Sequence, residues 1–142
     1  MIKEITDQGQ RLALIVSDSY QPDGVQFLTP DDSSLQLAYM SHPAGKLIAP
    51  HLHNQVKREI TQTQEFFIIK KGKVRVHFYN HAKEYLESQL LSKGDVLLQV
   101  SGGHSFEVLE ALEMIEVKQG PYVGTIDKTP NGTSRTSKVN PS

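Results

Sequence analysis

A chain of 142 residues with 37% hydrophobic content is sized for one domain with one modest core. Its 15 basic and 16 acidic residues leave a formal charge of -1, so no global field draws nucleic acid or an anionic membrane, and neither is expected as a partner. The lack of cysteine excludes disulfides, thiolate metal sites and a Cys nucleophile, and leaves His and carboxylates as the strong metal ligands.

In chain order, Leu12 to Val16 is a short apolar run, too short for a signal-peptide core or a membrane span, and the reading is a soluble, cytoplasmic protein. Pro22-Asp23-Gly24 is a turn before a second apolar run, Val25 to Leu28. Leu35, Leu37 and Tyr39 alternate with Gln36, Ala38 and Met40 at the period of a strand. His42 to Gly45 turns the chain, and Leu47 to Pro50 leads into His51-Leu52-His53. On an extended strand side chains two residues apart share a face, so His51 and His53 would aim two imidazoles at one point.

Glu65 opens the run Phe66 to Ile69, which breaks at Lys70-Lys71-Gly72-Lys73 and resumes as Val74 to Tyr79. Read as a β-hairpin turning on Lys71-Gly72, it makes Ile69 and Val74, Phe67 and Val76, and Glu65 and Phe78 cross-strand partners that line the interior. Phe66, Ile68, Arg75 and His77 then face outward, and the two apolar residues need a cover, either the N-terminal strand or a second subunit. A homodimer through Phe66 and Ile68 is therefore expected. Further strands are expected at 84–91, 96–100, 104–109 and 112–118, each bounded by turn residues such as Gly94-Asp95 and Gly102-Gly103. Short strands with frequent turns and no helical periodicity give an all-β sandwich or barrel over residues 1–126. The polar stretch 127–142 reads as a disordered tail, carrying a formal glycosylation sequon at Asn131.

The residues from Gly45 to Val108 carry a resemblance to the single-domain cupins, small barrels of the jelly-roll kind also described as a double-stranded β-helix. Five residues separate Gly45 from His51, His53 follows, and six residues separate Glu65 from Gly72, as in the first cupin motif. Gly94-Asp95 and Gly102-Gly103-His104 match the second. The chain departs from the pattern in an insertion between His53 and Glu65, in Val100 where Pro is usual, in one residue fewer before His104, and in Val108 where Asn is usual. The motif-bearing core spans 45–118 within the domain.

The resemblance implies a divalent metal, Zn, Fe, Mn or Ni, held by His51, His53, Glu65 and His104. Lys57 and Arg58 in the inserted loop are candidates to grip the carboxylate or phosphate of a small ligand. Three functions stay open: a metal-dependent enzyme on a small polar or anionic molecule, a metal-free isomerase or epimerase of the cupin sugar-nucleotide kind using the His pair as acid and base, and a binding or sensor module without turnover. His51, His53 and Glu65 are the catalytic candidates.

Overall fold

Each strand forms where β-branched and large apolar residues recur, and each bend falls on a Gly or a charged pair. A computed structural model describes residues 1–129, so the expected tail beyond 129 and its sequon lie outside the described residues. Within them there are eight strands and no helix: β1 (Ile2–Asp7), β2 (Gln10–Val16), β3 (Val25–Phe27), β4 (Ala38–Met40), β5 (Glu65–Tyr79), β6 (Tyr85–Ser92), β7 (Val96–Gln99) and β8 (Gly103–Lys118). The all-β expectation holds at that level. The six long-range strands form one strongly curled antiparallel sheet, a half-barrel, and β3 and β4 make a separate two-stranded ribbon.

The sheet is organised on β5. Its whole length pairs with β8, from Glu65 with Lys118 to Tyr79 with Gly103. Its other edge is shared: β7 takes Glu65 to Ile68 and β6 takes Lys73 to Tyr79. β2 extends the sheet beyond β7, and β1 pairs with β2 through the Gln8-Gly9 turn, in which both residues have positive φ. The sequence reading missed β1, which has one buried apolar residue, Ile5, and no regular apolar alternation.

The Lys71-Gly72 hairpin is not formed. β5 runs through those residues as one 15-residue strand, so Ile69 and Val74 are not cross-strand partners and neither are the other two expected pairs. The physical reason is a bulge. The ladder with β8 shifts register three times between Ile69 and Val74, and Gly72 sits there at φ +89°, where an added Cβ would overlap the Ala111 carbonyl. The bulge reverses side-chain parity, as a turn would have done. Phe67, Ile69, Val74, Val76 and Phe78 therefore still share one face and form the main core with Ile5, Ala13, Ile15, Leu91 and Leu97.

The neighbouring strands bend at the same level. Between β6 and β7, Gly94 has φ +89°, its N–H donates to the Ile69 carbonyl at 2.8 Å, and the Ile69 N–H donates to the Asp95 carbonyl at 3.0 Å. The Asp95 carboxylate accepts from the N–H of Ser92 and of Asp18, both at 2.8 Å, tying the corner to the chain beyond β2. The strands expected at 104–109 and 112–118 are one strand, β8, whose register irregularity faces the bulge of β5.

On the outer face, Phe66 packs with Leu14, Val16 and Leu98 under a layer from residues 20–37 that includes Tyr20, Leu28, Leu35 and Leu37. Phe66 is thus covered from within the chain, which removes the reason for giving it to a subunit interface. Ile68 pairs with Ile115, which is 47% exposed. The strand expected over 35–40 shortens to β4, and residues 41–64 contain no strand. Among the described residues no helix is long and apolar enough to cross a membrane.

Candidate functional site

Glu65 opens β5 and His104 is the second residue of β8, at opposite ends of their common ladder, since Glu65 pairs with Lys118 and His104 with Phe78. On a flat ribbon the thirteen steps from residue 65 to 78 would separate them by on the order of 40 Å. The line of bends folds the ribbon back on itself, and Glu65 Oε1 lies 3.8 Å from His104 Nε2. Phe67 sits beneath the contact, its ring centroid 5.6 Å from that of His104 and 5.1 Å from that of Phe106, each pair edge-to-face. This aromatic floor locks the imidazole in place and keeps bulk water off one side of it.

Burial sets the charge state. It raises the Glu65 carboxyl from its ordinary 4.5 to about 8, the hydrogen bond and charge of Glu116 push the same way, and Lys118 and Lys128 oppose. Burial lowers His104 below 6.5, with Lys128 adding to the shift and Glu116 opposing it. At neutral pH the carboxyl is therefore protonated and the imidazole neutral. Their approach, close enough for an ion pair, is a contact of two uncharged groups, because neither finds enough compensation to ionise out of water.

Two more polar groups belong here. Gln99 stands directly opposite Glu65 on β7, so the two side chains share a face. Its Nε2 donates to the Ser101 carbonyl at 2.6 Å, whereas its buried Oε1 has no hydrogen-bond partner, and neither has His104 Nδ1. Glu65 and His104 are each less than one-fifth exposed. Gln99 and Glu116 were not among the sequence candidates; only the register of β7 and β8 against β5 places them.

His51 and His53 lie elsewhere, in the strandless segment 41–64, and both are exposed. Their ring centroids are 5.2 Å apart in an edge-to-face contact, and the His51 Nδ1 is 3.1 Å from the Ala49 carbonyl. The strand that would have given them a common face is not formed. Lys57 and Arg58 are exposed on the same segment, and Arg58 donates only to the nearby Val56 carbonyl, at 3.5 Å. The four residues nominated for metal thus fall into two separate pairs, and among the described residues no three His, Asp or Glu side chains come together as a metal centre needs. As placed, Glu65 and His104 bring one carboxyl and one imidazole together, with His51 and His53 standing apart from them.

A cavity of about 800 Å³ opens on the outer face between the β1–β2 hairpin, residues 27–34 and the end of the irregular segment. Its cation, Arg11, is taken by Glu4 and by the Leu28 carbonyl. Glu65 and His104, whose carboxyl and imidazole are shifted by burial, form the candidate site instead. Compared with protein-family models, with curated proteins and with solved structures, the chain matches none.

Proposed function

We propose that the chain is a small-molecule enzyme of the cupin kind, in which Glu65 and His104 move protons to and from a bound polar substrate, as isomerases and epimerases do. The observation that carries this reading is their 3.8 Å approach inside the curled sheet, from positions that the two cupin-like motifs nominated independently. Burial arms the pair oppositely: a carboxylic acid with a proton to give near neutral pH and an imidazole able to take one. Environments that push two titratable groups into complementary states are the usual basis for assigning acid and base. The unpartnered Gln99 Oε1 offers an acceptor for a substrate hydroxyl or amine beside the acid.

Glu65 protonates the substrate oxygen or carbon that gains charge, while His104 removes the proton that leaves. The floor of Phe67 and Phe106 limits water and so keeps the two proton states distinct.

The test is a screen of small sugars, hydroxy acids and their phosphates by thermal shift, followed by incubation of each hit in D2O. Deuterium entering the ligand with wild-type protein and failing to enter with Glu65→Gln or with His104→Ala is the expected result. A ligand that binds and never exchanges makes the protein a binding module. A rise in melting temperature with Zn, Fe, Mn or Ni that disappears in His51→Ala, His53→Ala and His104→Ala alike restores the four-ligand metal reading.

A further inference from the structure

The outer face of the half-barrel carries a second set of chemically apt side chains, unconnected with Glu65 and His104. His77 on β5 stands between Ser88 on β6 and Ser105 on β8, as the cross-strand registers require. Its Nδ1 is 2.5 Å from Ser88 Oγ, and its Nε2 is 3.5 Å from Glu107 Oε1. Glu107 is held in turn by the Arg75 guanidinium, which donates to the same oxygen at 3.0 Å. The hydroxyl of Tyr85 lies 2.7 Å from Ser88 Oγ.

In the tautomer with its proton on Nε2, the imidazole turns that N–H toward the Glu107 carboxylate, at ion-pair distance, and presents the Nδ1 lone pair to Ser88. Ser88 has one proton and gives it to Nδ1, which leaves its oxygen to accept from Tyr85. The order is carboxylate, imidazole, hydroxyl, with the base oriented by a third group, and that is the arrangement that turns a serine into a nucleophile. The face is open, since Tyr85 is 58% exposed and the His77 side chain 27%.

We infer that Ser88 is an activated nucleophile that takes small acyl esters, with His77 as its base and Glu107 as the group that orients the base. In the step proposed, Ser88 Oγ bonds to the ester carbonyl carbon while its proton passes to His77 Nδ1. The bond from that carbon to the leaving oxygen then breaks, and the proton on Nδ1 goes out with the alcohol. Water then bonds to the acyl carbon as it loses a proton to His77 Nδ1, the bond from that carbon to Ser88 Oγ breaks, and the proton passes from Nδ1 to Oγ, releasing the acid and restoring the hydroxyl. No oxidation state changes. Tyr85 places a phenolic donor beside the attacking oxygen.

The experiment uses the full chain with a fluorophosphonate probe and with p-nitrophenyl acetate. Mass spectrometry is expected to find one phosphonate adduct, on Ser88, and Ser88→Ala is expected to abolish both the adduct and ester hydrolysis. His77→Ala should slow labelling by about 100-fold or more, the usual contribution of a general base. Glu107→Gln, an orienting residue, should slow it less, while Glu65→Gln leaves it unchanged, which separates this site from the interior one. Circular dichroism and melting temperature verify that the variants are folded. No adduct, adducts spread over several residues, or equal labelling in wild type and His77→Ala would overturn the proposal.

Discussion

Two stretches of this chain carry the residues that the sequence nominates, and the fold treats them differently. The β5–β8 ribbon fixes Glu65 and His104 by a thirteen-pair ladder, a line of bends and an aromatic floor. The segment 41–64 holds His51 and His53 closer together in sequence, yet gives them no strand, no shared face and no cover. Leu47 and Leu52 in that segment are 83% and 94% exposed. Proximity along the chain is thus no substitute for a backbone that is itself held. In the first region burial takes the groups out of water and raises the Glu65 carboxyl while lowering the His104 imidazole.

The comparison breaks most severely at the bend. Gly72→Val forces a β-branched residue into positive φ and into the Ala111 carbonyl, so the ribbon must open. A loss of more than about 3 kcal/mol in urea unfolding is expected, with no native baseline at elevated temperature. Phe67→Ala removes the floor under His104 and is expected to lose about 3 to 4 kcal/mol by the same measurement. A loss below about 1 kcal/mol in either would show that the bend and floor do not hold the pair in place.

The pH dependence sharpens the contrast. The folded Glu65 holds its proton up to about 8 against 4.5 for an ordinary carboxyl, so its stabilising contribution is complete below pH 4.5 and is lost as pH rises to about 8. His104 acts oppositely: its folded value lies below 6.5, so its contribution is complete above pH 6.5 and is lost as pH falls through the lowered value. Glu65→Gln cannot ionise and should melt above wild type at about pH 9, with the gap closing toward pH 4.5. An equal difference at both ends would mean that the carboxyl is not raised. The smallest effect is expected from His51→Ala and His53→Ala, each within about 0.5 kcal/mol of wild type without added metal, because exposed side chains contribute little.

Much of the interior face was legible in the sequence, for a reason other than the one first applied. Phe67, Ile69, Val74, Val76 and Phe78 were assigned to one face through a hairpin, and the bulge at Gly72 delivers the same face without one. The alternation was real, and a Gly between two Lys residues does not distinguish a turn from a bulge. β8 was harder to read, because Glu107, Glu110, Glu113 and Glu116 recur every third residue, which matches no strand period. The register shifts absorb that spacing and set three of them opposite Arg75, Lys73 and Lys71, at 3.0, 3.8 and 4.0 Å. The His51–His53 pair was misread because period-two geometry presupposes a strand, and Pro50 with the long polar stretch after it gives none. Glu116, Gln99 and Ser88 could not be reached at all, since each meets its partner only through the alignment of strands distant in sequence.

The β5–β8 ladder also fixes an order of assembly. Its near end joins Tyr79 to Gly103, 24 positions apart, and its far end joins Glu65 to Lys118, 53 positions apart. Loop closure becomes more costly with length, so pairing that starts at the near end and zips past the bulge reaches Glu65 last. His104 then waits on a formed strand until the final turn of the ribbon brings its partner over. During folding, and in any partial opening from that end, the protein would keep most of its sheet while Glu65 and His104 are apart, so recovery of their contact should lag behind recovery of β-structure.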